Sequence, residues 1–393
     1  MPLRTGFIFL ATASLIVTAG VLSACSDDGP SGNASGTPSE APTPTASATP
    51  TPGPATPTPT PGEFRRLFTI PSPNEDPSSG RARAVAVNPD AFVIYVANEF
   101  RDEVRVFDEA TGTLQSSYPV GENPRAVEYD SVSDLILTLG VLPKVVSIRN
   151  ADSGTEVARI EVPQGYTADA LAVDGAGERA YVGTASGVSI IDLTARTVEK
   201  EVPLLVTRVH DLVFDPGTGV LYALAECNKA RSQGQTVDYI MSSPIIIEEC
   251  TFSSALIALD GSSGEVLFEI ILERDVNRIA IDSISQTVYV TGSRYDFEME
   301  TRVGALQVVD LESRAVKERI DLPWKGGSVI VVDETRRIVH VAALNKFLLL
   351  DADTYDLVKT IEGGLEPSDM ALNSTTGRVY VSQSWAGIVV FGR

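Results

Sequence analysis

The chain has 393 residues, more than most single domains, but closed all-β repeat folds routinely reach this size. It carries 52 acidic and 31 basic residues, a net charge of −21, which argues against nucleic-acid binding because phosphate contacts need a basic surface. The composition therefore predicts one large domain with flanking segments and no nucleic-acid partner.

The first segment has the features of an export signal. Arg4 supplies a positive start, and the residues from Phe7 to Leu22 are almost all apolar or small. The segment ends in Leu22-Ser23-Ala24-Cys25, which resembles the lipobox of bacterial lipoproteins. The resemblance implies a signal peptide over residues 1–24 and a lipid on Cys25 that anchors the chain to a membrane of the bacterial cell envelope, outside the cytoplasm. Ordinary cleavage after Ala24, with an incidental cysteine, is the alternative.

Residues 25–62 form the second segment, a Pro/Thr-rich linker that begins at the lipidated cysteine. From residue 26 to residue 62 there is no aromatic residue and no aliphatic residue larger than alanine, and Thr-Pro pairs recur throughout. Such a composition cannot bury a core, so we expect a disordered stalk. In an extended polyproline conformation it would reach about 115 Å from the membrane.

The remaining residues, 63–393, contain a repeat. A turn residue, Asn or Asp, is followed seven positions later by an aromatic or other large residue at the start of a β-type run. The seven pairs are Asn88 and Tyr95, Asp130 and Leu137, Asp174 and Tyr181, Asp215 and Tyr222, Asp282 and Tyr289, Asp333 and His340, and Asn373 and Tyr380. Repeats of roughly 40 to 45 residues with short alternating strands predict an all-β, seven-bladed β-propeller.

The last repeat ends after its third strand, at residues 388–391, whereas the other repeats continue into a fourth. The segment from Arg65 to Ile70 has strand character and precedes a loop that leads into the first strand of the first repeat. We therefore predict that this N-terminal strand completes the last blade and closes the ring, which removes an exposed sheet edge.

The strand sequences carry a family resemblance. Tyr95-Val96-Ala97-Asn98, Tyr181-Val182-Gly183-Thr184 and Tyr289-Val290-Thr291-Gly292 are similar to the YVTN-type β-propeller repeat, named for Tyr-Val-Thr-Asn. The resemblance covers the chain from residue 63 onward and implies the propeller fold. It implies little about function, because the repeated residues form blade packing and turns. Leu137 and His340 depart from the aromatic pattern, and we expect His340 to be a packing residue with its hydrogen bonds satisfied.

Candidate ligand-binding residues occupy one column of the repeat, at the entry to each first strand. In a propeller this position approaches the mouth of the central channel, where seven blades can direct polar groups at one ligand. The column consists of Arg83, Arg125, Asp169, His210, Asn277, Ser328 and Ser368. The alternative is that these side chains only solvate the rim.

Two blades carry insertions between their second and third strands, on the face that bears the channel mouth. Cys227 and Cys250 bracket the insertion of the fourth blade, and in an exported chain we expect them to form a disulfide. Between them lies an apolar set that suits a partner surface, although these residues would equally extend the hairpin and pack on the blade: Tyr239, Ile240, Met241, Ile245, Ile246 and Ile247.

We find no catalytic motif in the sequence: it contains no Gly-rich phosphate loop, nucleophile elbow, haem attachment site or zinc-spaced cluster. We accordingly name no catalytic residue, no metal ligand and no cofactor. The sequence favours a membrane-anchored binding or scaffold module for a protein or glycan partner. The alternative is an extracytoplasmic propeller enzyme, either a lactonase-like hydrolase or a quinone-cofactor dehydrogenase, with its site at the channel mouth.

Overall fold

The computed structural model describes residues 63–71, 81–142, 144–162, 170–204, 206–227, 254–272, 276–296, 301–322, 328–384 and 387–393. In these ranges 28 strands, numbered β1 to β28 in chain order, form seven antiparallel sheets of four strands each. Each sheet is one blade of a seven-bladed β-propeller, and we number the blades in chain order. The predicted fold class is confirmed.

The first strands of adjacent blades contact one another around the central channel, and the first strand of blade seven contacts the first strand of blade one. They are β2 (Ala82–Asn88), β6 (Pro124–Asp130), β10 (Leu171–Asp174), β14 (Val206–Asp215), β18 (Val276–Asp282), β22 (Ser328–Asp333) and β26 (Pro367–Asn373). The second strands are β3 (Val93–Asn98), β7 (Leu135–Val141), β11 (Arg179–Gly183), β15 (Val220–Cys227), β19 (Thr287–Asp296), β23 (Ile338–Ala343) and β27 (Arg378–Gln383).

The third strands are β4 (Glu103–Asp108), β8 (Lys144–Asn150), β12 (Gly187–Asp192), β16 (Ser254–Asp260), β20 (Thr301–Asp310), β24 (Lys346–Asp351) and β28 (Gly387–Gly392). The outermost strands are β5 (Leu114–Pro119), β9 (Glu156–Glu161), β13 (Thr197–Pro203), β17 (Val266–Leu272), β21 (Ala315–Leu322), β25 (Leu357–Glu362) and, in blade seven, β1 (Arg65–Ile70). No helix in the described ranges is long and apolar enough to span a membrane.

The hydrophobic core lies between the blades. Second and third strands such as β3 and β28 are buried along their whole length, because each packs a neighbouring blade on both faces. Outer strands such as β5 alternate exposed and half-buried residues. Each cluster of buried apolar side chains joins two adjacent blades, as Tyr181 and Ala255 do between blades three and four.

The repeated turn residues and aromatic residues have the roles that the repeat predicts. The side-chain oxygen of Asn88 accepts hydrogen bonds from the backbone amides of Asp90 (3.1 Å) and Ala91 (3.0 Å), and so holds the turn between the first and second strands. The hydroxyl of Tyr181 donates to the carbonyl oxygen of Gly261 in the next blade, at 3.1 Å. These contacts explain why the two residue types recur at a fixed spacing.

Ring closure follows the predicted scheme. Strand β1 pairs antiparallel with β28, from Arg65 opposite Gly392 to Ile70 opposite Ile388. Ile70 is buried in the apolar cluster between blades seven and one. The carboxylate of Glu109, in blade one, accepts hydrogen bonds from the side chain of Asn373 in blade seven at 2.6 Å. The prediction that the N-terminal strand completes the last blade is confirmed.

His340 is a packing residue, but the expectation that its hydrogen bonds are satisfied is wrong. Its ring packs against Phe64 and Phe347, with ring centroids 5.2 and 5.8 Å away. Neither ring nitrogen has a hydrogen-bond partner in the described structure. The aromatic neighbours offer no acceptor, so burial lowers the pKa of His340 to about 4.

Replacing His340 with phenylalanine is expected to reduce the acid sensitivity of folding. The pKa of His340 is about 4 in the folded chain and has its ordinary value of 6.5 in the unfolded chain. Between pH 4 and pH 6.5 the unfolded chain therefore binds more protons than the folded chain. Stability is therefore lost as the pH falls from 6.5 to 4, by about 3 kcal/mol for this group. Denaturant titrations at several pH values should show a smaller loss in His340→Phe, and parallel curves for the two proteins would contradict the assignment.

In blades four and five the second strands end, and the third strands begin, at the mouth end of the propeller. Cys227, the last residue of β15, pairs with Val206 at the start of β14. Cys250 and the six apolar residues of this insertion lie outside the described residues, so the disulfide and the partner surface stay predictions. In blade five, β19 and β20 pair as far as Asp296 and Thr301, so the hairpin extends beyond the first strand of its blade.

Candidate functional site

The predicted ligand-binding column lies on a set of β-bulges. In blades one, two, four, five and seven, the ladder between the first and second strands skips one residue at this position. The skipped residues are Arg83, Arg125, His210, Asn277 and Ser368. A bulge redirects side chains and is frequent beside binding sites. In blade six Ser328 stays paired with Ala343, and Asp169 lies outside the described residues.

Four residues of this column line one cavity at the mouth of the channel, with a volume of about 400 Å³. We call it the mouth cavity, and its lining residues are Arg83, Asn277, Arg278, Ser328, Val329, Leu344, Glu366, Pro367, Ser368 and Ser384. The structure thus brings together Arg83, Asn277, Ser328 and Ser368 from blades one, five, six and seven. Their role as ligand contacts stays a prediction.

Two other members of the column lie close to carboxylates instead of lining this cavity. The guanidinium of Arg125 lies 2.9 Å from the carboxylate of Glu99, which is buried and also contacts Arg81 at 3.1 Å. The Nε2 atom of His210 lies 3.7 Å from the carboxylate of Glu226. Glu99 and Glu226 lie at the ends of second strands. The sequence alone does not show that they reach Arg125 and His210.

A second cavity of about 270 Å³ lies deeper in the channel and contains charged groups that sequence reasoning missed. Its lining includes the carboxylates of Glu128, Asp211 and Asp369 and the guanidinium of Arg278, which come from blades two, four, seven and five. The signal was present in the sequence. Glu128 stands two positions before the turn residue of its blade, and Asp211, Arg278 and Asp369 stand four positions before theirs. At these positions the other blades have only alanine or valine.

Two of these carboxylates join adjacent blades. Asp211 accepts a hydrogen bond from the backbone amide of Ile279 in blade five at 2.9 Å, and Asp369 accepts one from Val85 in blade one at 3.0 Å. Burial raises the pKa of both carboxyl groups, that of Asp211 to about 6, while the positive charge of Arg278 opposes the rise. Asp211 and Asp369 therefore have a structural role in the ring.

Glu128 is in a different position. Its carboxylate lines the channel, and burial together with the charges of Asp369 and Asp211 raises its pKa to about 8. The described residues that line this cavity thus include three acidic groups and one arginine, and the arginine acts on Asp211 and Asp369. We infer that the ionisation of Glu128 changes in the weakly alkaline range.

The described residues contain no group of three or more His, Cys, Asp and Glu side chains placed to share a metal ion. In the described lining of the mouth cavity, Glu366 is the one carboxylate, and two arginines, Arg83 and Arg278, belong to the same lining. Hard cations such as Ca²⁺ need several oxygen ligands, so this set suits polar groups better than a metal.

Comparison with known proteins supports the fold. The chain matches no protein-family model and no curated protein. Among solved structures it is similar to hydrazine synthase of Kuenenia stuttgartiensis, with a TM-score of 0.66 and 12% sequence identity, over 86% of this chain and 99% of that chain. A likeness at this identity shows the architecture and not the activity. The chain therefore has a seven-bladed propeller fold and is similar in structure to a neighbour with which it shares 12% of its sequence.

Proposed function

We propose that this chain is a lipid-anchored binding module of the YVTN-repeat type, which holds a propeller outside the cytoplasm and binds a protein or glycan partner at the face where the channel opens. The mouth cavity is the observation that carries the proposal. Polar side chains from four blades converge there, and most of them lie on or next to β-bulges. A concave site with a few convergent polar groups and an apolar rim is typical of ligand binding.

The anchoring is proposed from the lipobox-like Leu22-Ser23-Ala24-Cys25. Cys25→Ala is expected to release the chain from membranes or to block its maturation, because the sulfur that would carry the lipid is removed. Fractionation of a bacterial host that expresses the full-length chain provides the measurement, with Cys227→Ala as the matched cysteine control. Membrane retention of a cleaved Cys25→Ala chain would contradict the anchoring.

The binding function is tested by filling the cavity. In Asn277→Trp the indole occupies the mouth, and we expect this variant to lose partner binding. The control is Glu312→Trp, in the exposed turn after β20 at the opposite end of blade five. Both full-length variants and the parent are immobilised and exposed to a glycan array and to purified envelope proteins. Equal capture by the parent and by Asn277→Trp would remove the channel mouth from the function.

A further inference from the structure

The mouth cavity contains a buried hydroxyl group that has no partner among the described residues. Ser328 is 3% exposed and begins β22, the first strand of blade six. Its Oγ atom forms no hydrogen bond with any described residue, and Ser328 is one of the residues that line the cavity. A buried hydroxyl without a hydrogen bond destabilises the folded chain. A ligand in the cavity that exchanges a hydrogen bond with this group would offset that cost.

The other uncharged polar groups of the lining both donate and accept hydrogen bonds. Asn277 presents a side-chain amide, and the hydroxyls of Ser368 and Ser384 lie 3.0 Å apart. Because only one of these two hydroxyl groups donates in that contact, the hydrogen of the other can be donated to another acceptor. Such a set matches the vicinal hydroxyl groups of a sugar, since each of those also donates and accepts.

The charges at this level do not favour an isolated anion. Two arginines, Arg83 and Arg278, line the mouth cavity together with the carboxylate of Glu366. Arg278 also lines the deeper cavity, where its positive charge acts on Asp211 and Asp369, and the charge of Arg83 acts on Asp369 as well. A bound carboxylate would therefore compete with carboxylates of the chain for both arginines. An uncharged polar ligand avoids this competition and still accepts hydrogen bonds from a guanidinium group.

The remaining lining is apolar. Val329, Leu344 and Pro367 belong to the same cavity, and Leu344 is 49% exposed at its rim. A pyranose ring presents C–H faces as well as hydroxyl edges, so its two kinds of surface correspond to the two kinds of lining. The volume of about 400 Å³ lies within the range of small-molecule sites.

We propose that the mouth cavity binds one uncharged saccharide unit of a glycan, with the hydroxyl of Ser328 and the amide of Asn277 bonded to its hydroxyl groups. This inference rests on the proposed binding function and selects the glycan from the two partner classes. A side chain of a protein partner offers fewer hydroxyl groups, so it would satisfy fewer of these donors and acceptors at once.

The test measures binding of four probes, glucose, galactose, mannose and N-acetylglucosamine, to the full-length chain by saturation-transfer NMR. We expect at least one probe to bind, and Ser328→Ala and Asn277→Ala to weaken its binding about tenfold each, the loss expected for one or two hydrogen bonds. Ser328→Ala should keep or raise the melting temperature, because it removes an unpaired buried hydroxyl.

Ser189→Ala is the matched control. Ser189 is also fully buried in a strand, but its hydroxyl donates to the carboxylate of Glu201 at 3.0 Å. This variant should lower the melting temperature and leave sugar affinity unchanged. Absence of binding by all four sugars, or equal affinity of the parent, Ser328→Ala and Asn277→Ala, would overturn the inference. Capture of an envelope protein that Asn277→Trp abolishes would then leave the binding function standing with a protein partner.

Discussion

Deletion of residues 63–72 is expected to lower the free energy of unfolding by about 5 kcal/mol or more and to cause aggregation. The segment contains β1, the fourth strand of blade seven, and two buried side chains, Phe64 and Ile70. Loss of a buried aromatic or a large aliphatic side chain typically costs roughly 2–5 kcal/mol each. Removal of β1 also exposes β28 as a sheet edge, which promotes pairing between chains. Denaturant unfolding and light scattering measure the two effects.

Point variants separate the loss of packing from the loss of the strand. Ile70→Ala should retain the strand and lose about 2–4 kcal/mol, because the residue is 2% exposed in the cluster between blades seven and one. Arg66→Ala, on the exposed side of the same strand, should change stability by less than about 1 kcal/mol. A deletion protein that unfolds at the same denaturant concentration as the parent would show that β1 does not hold the ring closed.

Arg278→Met is expected to destabilise the chain by about 3 kcal/mol at pH 8 and by much less at pH 5. The variant leaves Glu128, Asp211 and Asp369 in the channel without the arginine that lines the same cavity. An unpaired carboxylate in such a site is costly when ionised. The pKa values of these carboxyl groups are raised in the folded chain, to about 6 for Asp211 and about 8 for Glu128. The protonated forms therefore stabilise the folded chain at low pH. This stability is lost as the pH rises through the pKa values of the folded chain.

Two further variants test this explanation by urea titration at both pH values. In Arg278→Met combined with Glu128→Gln, part of the lost stability should return at pH 8 and little should change at pH 5, because one charge is removed from the channel. Arg159→Met is the surface control. Its guanidinium pairs with Glu156 on an exposed strand at 2.9 Å, a contact that contributes less than about 1 kcal/mol. An equal loss at pH 5 and pH 8 would assign the effect of Arg278 to packing instead of charge.

Much of the fold could be predicted because its determinants are local. The turn carboxamide or carboxylate, as in Asn88, acts on amides two and three residues away, and strand alternation has a period of two. These signals repeat, so seven copies reinforce one another even where Leu137 or His340 replaces the aromatic residue. The pairing of β1 with β28 could also be inferred, because one strand lacked a sheet and one sheet lacked a strand.

The candidate site was predictable only in part. A column in the repeat indicates which residues lie at the same height around the axis, and Arg83, Asn277, Ser328 and Ser368 do meet at one cavity. The column does not show where each side chain points. Arg125 is directed to Glu99, which is 26 residues earlier in the chain and belongs to another blade.

The sequence by itself determined the seven-fold repeat, the strand order within each blade and the height of the polar column along the axis, since these depend on spacing along the chain. Only the tertiary structure decided which groups share the channel. Glu128, Asp211, Arg278 and Asp369 are up to 241 residues apart and come from four blades, yet they line one cavity. The bulges at the mouth, and the hydroxyl of Ser328 that is unpaired among the described residues, depend on how one strand registers with the next. Closing the ring brings the blades together, so that their charges interact across the axis.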